Sequence, residues 1–212
     1  YDPRKRVGLL VDEWGTWWDE EPGTVRGHLY QQNTLRDAFV AALTLDVFHK
    51  YTDRVVMANI AQMVNVLQAM ILTDDKGGMV LTPTYHVFRM YKVHQDATYL
   101  PFDLICNKKK VEENRTVPMI SDTASRDKKG VIHLSLSNVD PDNSQEITVE
   151  LPGVKGKKVT GEILTAANLT DHNTFEKPNT VKPTVFDGAK IVGDGALTVN
   201  LPAKSIVTLE IK

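Results

Sequence analysis

The sequence predicts an α/β segment over residues 1–97 followed by an antiparallel β-sandwich over residues 98–212, an α/β plus all-β chain. Three observations carry that expectation. Two short apolar runs, Val7–Val11 and Val55–Ala58, flank a stretch with helical apolar spacing, and strand, helix, strand within about fifty residues is a βαβ unit with a parallel pair. From about Thr98 the spacing of apolar residues changes to two, with turn residues between the runs, which is the grammar of antiparallel strands with one wet face. The 212 residues are 42% hydrophobic, which is enough for a core, and carry a formal net charge of −2 where nucleic-acid binders show a basic surplus.

In order along the chain, Val7–Val11 reads as a strand buried on both faces, because apolar runs this short arise in parallel sheets. It delivers Asp12 and Glu13 and then Trp14, Trp17 and Trp18. Alternation puts Glu13 on the side of Leu9 and Val11, with Asp12 opposite. Asp19-Glu20-Glu21-Pro22-Gly23 reads as a solvated acidic loop. Thr34 and Asp37 fit a capping box, and Leu35, Phe39, Leu43 and Val47 mark the inner face of a helix to about Lys50. Val55–Ala58 is the second buried strand. Residues 62–72 read as an irregular loop or short helix, broken by Lys76-Gly77-Gly78. Thr82 as N-cap with Pro83 after it opens a second helix, ending near His94 to Asp96, with Val87, Met90, Tyr91 and His94 on one face.

Beyond residue 97, Ile132, Leu134 and Leu136 point in against His133, Ser135 and Ser137, and Ile147, Val149 and Leu151 against Thr148 and Glu150. Residues 158–164, 197–201 and 207–211 continue the pattern, with turns at Pro152-Gly153, Asp187-Gly188 and Gly193-Asp194-Gly195. Lys108-Lys109-Lys110 and Asp127-Lys128-Lys129 read as charged loops. The single cysteine, Cys106, excludes an internal disulfide and reads as packing. No apolar run approaches the roughly 18 residues of a membrane-spanning helix, and the amino end has neither an initiator Met nor a signal-peptide core, so the chain is expected to begin mid-protein.

The chemistry concentrates at Asp12-Glu13-Trp14 with Trp17. A carboxylate at the carboxyl end of a parallel strand is a catalytic candidate, and tryptophan beside it offers a flat platform for a sugar ring. None of His28, His49, His86, His94, His133 and His172 stands at metal-ligand spacing, so no metal site is expected. Gly77-Gly78 is a turn, since no Lys-Ser/Thr follows to make a phosphate loop.

Three blocks together resemble the family 51 glycoside hydrolases, mostly retaining α-L-arabinofuranosidases: Asp12-Glu13-Trp14 with Trp17, Tyr30-Gln31-Gln32-Asn33-Thr34-Leu35-Arg36-Asp37-Ala38, and Ala58-Asn59-Ile60-Ala61-Gln62-Met63-Val64-Asn65-Val66-Leu67. The resemblance covers the first hundred residues. It implies that Glu13 is the nucleophile, that Trp17 lines the sugar pocket, that Gln62 hydrogen-bonds the arabinosyl unit and that catalysis needs no cofactor. Trp14 and His28 are further substrate-binding candidates, with core packing and surface as their ordinary readings, and Asn65 reads as structural. Two strands and two helices cannot close a (β/α)₈ barrel of ~250 residues. The resemblance therefore implies a partial (β/α)₈ barrel, its final two βα units, followed by the family's carboxy-terminal sandwich.

The acid/base Glu of the family follows an Asn on an earlier strand, and no Asn-Glu dipeptide occurs here. The isolated chain is accordingly expected to be inactive. The implied partners are an arabinofuranosyl oligo- or polysaccharide and the remainder of the barrel, with a homo-oligomer expected from the family and neither nucleic acid nor membrane. Two rival readings stand beside this one. One is another retaining barrel glycosidase of endoglucanase type; the other is a non-catalytic carbohydrate-binding or scaffold fragment. Binding platforms use exposed aromatics, and past residue 103 only Phe175 and Phe186 are available.

Overall fold

A computed structural model describes residues 2–154, 158–193 and 195–212. The chain forms two compact units, Tyr1–Arg89 with Ala166–Lys182, and Met90–Thr165 with Pro183–Lys212. Both are assembled from discontinuous chain.

In the first unit β1 (Leu9–Trp14) and β2 (Val55–Ile60) form a two-stranded parallel sheet, joined by helix α1 (Leu35–Lys50). The expected capping box is present: the Asp37 carboxylate accepts hydrogen bonds from Thr34 N at 2.8 Å and Thr34 Oγ1 at 2.9 Å. The buried stripe of α1 is Leu35, Ala38, Phe39, Ala41 and Ala42, while Val47 is exposed. Four-residue steps overshoot a 3.6-residue turn by about 40° each, so the stripe predicted through Leu43 to Val47 rotates off the core. Strands β3 (Ile71–Thr73) and β4 (Met79–Leu81) pair as a hairpin around the Lys76-Gly77-Gly78 break, β3 starting at the end of the 62–72 stretch expected to be loop or helix. The Asp74 carboxylate closes its turn by accepting from Lys76 N and Gly78 N. Helix α2 (Pro83–Tyr91) follows Thr82, whose hydroxyl accepts from Tyr85 N.

The predicted burial of the first strand on both faces does not hold. Val7, Leu9 and Leu10 are exposed, as are Val56 and Met57. A pair of strands has no third neighbour to cover it, so an apolar run of parallel-sheet type stands in the open.

In the second unit a 3₁₀ turn at Lys92–His94 precedes β5 (Thr98–Leu100), β6 (Lys108–Glu112), β7 (Arg115–Pro118), β8 (Ile120–Arg126), β9 (Ile132–Asn138), β10 (Gln145–Glu150), β11 (Val159–Thr165), β12 (Thr184–Phe186), β13 (Ala189–Gly193), β14 (Ala196–Leu201) and β15 (Ser205–Ile211). Every pairing among these strands is antiparallel. One sheet runs β12-β11-β15-β9-β8-β5 and the other β10-β14-β13. Leu134, Leu136, Val207 and Leu209 of the first meet Ile147, Val149, Leu197 and Val199 of the second in one core, an open sandwich.

Alternation holds on β10, where Ile147 and Val149 are buried and Thr148 and Glu150 exposed. On β9 it fails, because every residue is buried. The polar face of this central strand is covered: His94 bonds Ser125 Oγ at 2.7 Å and Ser135 Oγ at 2.8 Å through its two ring nitrogens. Lys108-Lys109-Lys110 begins strand β6, not a loop, although its side chains are solvated as expected. Asp127-Lys128-Lys129 is a turn held by the Asp127 carboxylate, which accepts from Lys129 N and Val131 N. Cys106 is half-buried against the core. Asp194, in the predicted Gly193-Asp194-Gly195 turn, lies outside the described residues.

Candidate functional site

The parallel pairing aligns Leu10 with Met57, Val11 with Ala58 and Trp14 with Ile60. Three steps on β1 thus match two on β2, which places a bulge at Asp12–Glu13. Simple alternation cannot be carried through it, and both carboxylates are exposed. Bulges of this kind re-aim side chains. The carboxyl ends of the two strands stay together, since Ala61 N donates to Trp14 O at 2.8 Å. Glu13 and Gln62 therefore stand at the same end of the pair.

Trp14 is packed from two sides, edge-on to Phe48 of α1 at 5.4 Å and stacked on Phe88 of α2 at 6.1 Å. Its geometry is that of an anchor for the strand end. Gly15, at φ +136°, then turns the chain. A Cβ there would stand 3.1 Å from Gln68 Oε1, so glycine serves both the backbone angle and the close approach. Trp17 is 67% exposed. Its neighbours are tied down: Thr16 N donates to Gln68 Oε1 at 2.8 Å, and Trp18 N donates to Gln31 Oε1 at 2.8 Å.

His28 and Gln62 line one cleft of about 590 Å³ with Thr24, Tyr30, Asn65 and Asp74 among its walls. Glu13, Trp14 and Trp17 are not part of its lining. Asn65 is held by Thr73, donating to its Oγ1 and accepting from its N. The acidic loop proves more ordered than its composition suggests. Glu20 is half-buried and accepts from Gly27 N at 2.7 Å and Leu29 N at 2.8 Å, which folds residues 20–29 into the cleft wall. Burial, and next the Glu21 carboxylate, push the Tyr30 hydroxyl above its ordinary pKa, so it stays a neutral donor at physiological pH. Among the described residues no group of three or more His, Cys, Asp or Glu is placed to hold a metal ion.

A buried polar layer beneath Thr16–Trp18 was not read from sequence. Gln31, Asn33, Asp37, Gln68 and Thr84 are all buried. Gln68 Nε2 donates to Asp37 O and Thr84 Oγ1, and Gln31 Nε2 donates to Thr16 Oγ1. The signal was available in the run Gln31-Gln32-Asn33-Thr34, polar residues leading directly into an apolar helix.

The alpha-L-arabinofuranosidase C-terminal domain model matches residues 12–205. The chain is 71% identical over its whole length to an intracellular exo-alpha-L-arabinofuranosidase from Bacteroides ovatus, covering 41% of that protein. It is 28% identical over 97% of its length to an intracellular exo-alpha-(1->5)-L-arabinofuranosidase from Bifidobacterium longum, again covering 41%. Among solved structures, the GH51 arabinofuranosidase from Xanthomonas axonopodis pv. citri superposes with a TM-score of 0.95 at 48% identity, over 100% of this chain and 42% of that one. The arabinose complex of the Thermotoga maritima alpha-L-arabinofuranosidase gives 0.83 at 25% identity, over 98% and 44%. The chain thus spans about two fifths of the length of these relatives. With residues 12–205 matched by one family model, it belongs to the alpha-L-arabinofuranosidase C-terminal domain family.

Proposed function

We propose that this chain is the carboxy-terminal portion of a retaining, exo-acting α-L-arabinofuranosidase that releases terminal arabinofuranose from arabinan, arabinoxylan or arabino-oligosaccharides. Residues 1–97 would supply the final two βα units of its (β/α)₈ barrel and residues 98–212 its sandwich, except Ala166–Lys182, which pack with the first unit. The observation that supports the reading is the parallel β1–β2 pair with Glu13 and Gln62 at the same end, and Trp17 exposed four residues after Glu13 in sequence. Active sites of such barrels lie at the carboxyl ends of the strands. The exposed apolar faces of β1 and β2 support the same reading, since parallel strands are ordinarily covered on both sides.

In the proposed mechanism Glu13 attacks the anomeric carbon as the glycosidic bond breaks, and the leaving oxygen takes a proton from a second carboxyl group about 5–5.5 Å away. A water, deprotonated by that same group, then attacks the anomeric carbon and displaces Glu13, releasing arabinose with retained configuration. Gln62 would hydrogen-bond the sugar and Trp17 would face its C–H surface. His28, on the same cleft as Gln62, would touch the substrate from the loop after β1. Trp14 would act by holding the strand end. The second carboxyl group would come from an earlier strand of the barrel. Phe175 and Phe186 both pack into apolar clusters, which argues against a sugar-binding platform on the sandwich.

The test is hydrolysis of an aryl α-L-arabinofuranoside by the full-length protein, its Glu13→Ala variant and the isolated chain. Activity in the full-length protein alone, reduced to background by Glu13→Ala, is expected. Activity in the isolated chain that Glu13→Ala removes would place both carboxyl groups within these residues and overturn the division of roles.

A further inference from the structure

Asp37 is fully buried, and a carboxylate at that depth has to be met by donors. Four are present, and they divide by oxygen. Oδ2 accepts from Thr34 N and Thr34 Oγ1, which is the helix cap. Oδ1 accepts from Thr16 Oγ1 at 2.9 Å and from the Trp18 indole Nε1 at 2.7 Å. A helix cap needs only the first oxygen. The second is spent on the turn that follows β1.

The start of α1 is itself fixed from distant sequence. Leu35 N donates to Asp171 O at 3.0 Å and Arg36 N to Leu169 O at 2.9 Å, so the segment Ala166–Lys182 satisfies two of the amides that a helix leaves open at its start. The Arg36 guanidinium lies 4.0 Å over the Trp18 ring and 3.7 Å from Asp37 Oδ2. Trp17 sits between two residues whose backbone amides and side chains are both held, and its own ring projects into solvent.

We infer that Asp37 is a positioning residue for sugar recognition: through Thr16 and Trp18 it fixes the backbone from which Trp17 projects, and the Ala166–Lys182 segment holds Asp37 in place. The inference rests on the reading that Trp17 contacts the sugar.

Thr16→Val tests it, because the substitution keeps the side-chain shape, removes one donor to Oδ1 and leaves the cap on Oδ2 untouched, while it also withdraws the acceptor of Gln31 Nε2. In the full-length protein kcat/KM on an aryl α-L-arabinofuranoside is expected to fall by about tenfold, the scale of a small misplacement, with a lower melting temperature because the buried Gln31 Nε2 loses its acceptor. Thr16→Ser, which keeps the hydroxyl, should restore most of the loss. In a Trp17→Ala background Thr16→Val should cost little more, since two changes acting through one side chain do not add. Unchanged kinetics, or losses that add in full, would overturn the inference. Amide hydrogen exchange over residues 14–20 gives a readout independent of activity: faster exchange in Thr16→Val is expected, and unchanged exchange refutes the Asp37 clamp. A full-length wild type with no arabinofuranosidase activity would sink the functional reading instead, and the exchange result separates the two failures.

Discussion

Asn138 is fully buried at the end of β9 and uses both ends of its amide. Its Nδ2 donates to Asn143 O, Leu201 O and Pro202 O, and its Oδ1 accepts from Asp140 N. Asn138→Ala would leave these groups unpaired beneath the surface, and a loss of about 1–3 kcal/mol is expected in denaturant unfolding. Asp140, two residues on, has its carboxyl pKa held below the usual carboxylate range, first by the hydrogen bond from Asp142 N and then by Asn143, against a counteracting burial. The folded state therefore binds this proton less readily than the unfolded chain. Its stabilisation is fully present above the unfolded pKa of about 3.9 and is lost as pH falls through the lower folded value. Thermal melts should drop in temperature as pH is taken below about 4, and Asp140→Asn should flatten part of that slope. An unchanged slope would show that Asp140 titrates alike in both states.

At the scale of elements, Asn173 is one of the ties that join the Ala166–Lys182 segment to the rest of the first unit. This buried amide donates to Leu81 O and Val181 O and accepts from Val181 N. Asn173→Ala should cost about 1–3 kcal/mol and speed amide exchange both in residues 166–182 and at Leu35 and Arg36. Fast exchange confined to the segment would mean that α1 does not depend on it. The capping box at Thr34 and Asp37, three residues apart, and the adjacent Thr82-Pro83 helix start are local signals written in side chains, and the structure bears both out. The segment contacts α1 through backbone atoms of Leu169 and Asp171, which any sequence possesses, so nothing in the residue types announced them. The polar face of β9 misled for a related reason. His133, Ser135 and Ser137 look like a wet surface, but His94, far away in sequence, satisfies Ser135 from above. Asp37 was half legible: its role as a cap was evident, while its second oxygen's partners at Thr16 and Trp18 depend on the return of β1 to the same place.

For the whole molecule, the informative feature is an apolar strip on the β1–β2 pair. Leu10 and Met57 are direct partners in the parallel register and are each more than half exposed, and Val7, Leu9 and Val56 are exposed on the same two segments. Full burial of a side chain of this size is favourable by about 1.5–3 kcal/mol, and contiguous exposure of several marks a surface that something covers. In the proposed enzyme, the preceding barrel strands and the helices around them would do so. The same residues should therefore have opposite consequences in two contexts. The isolated chain should bind an apolar dye and self-associate in sedimentation, and Leu10→Lys with Met57→Lys should suppress both while the melt of the sandwich persists. In the full-length protein that pair of substitutions should prevent the barrel from closing and abolish arabinofuranosidase activity. An isolated chain that stays monomeric and dye-free would mean that the strip is covered within these 212 residues. A full-length double variant with normal activity would mean that β1 and β2 sit at an open edge, which a closed barrel does not possess.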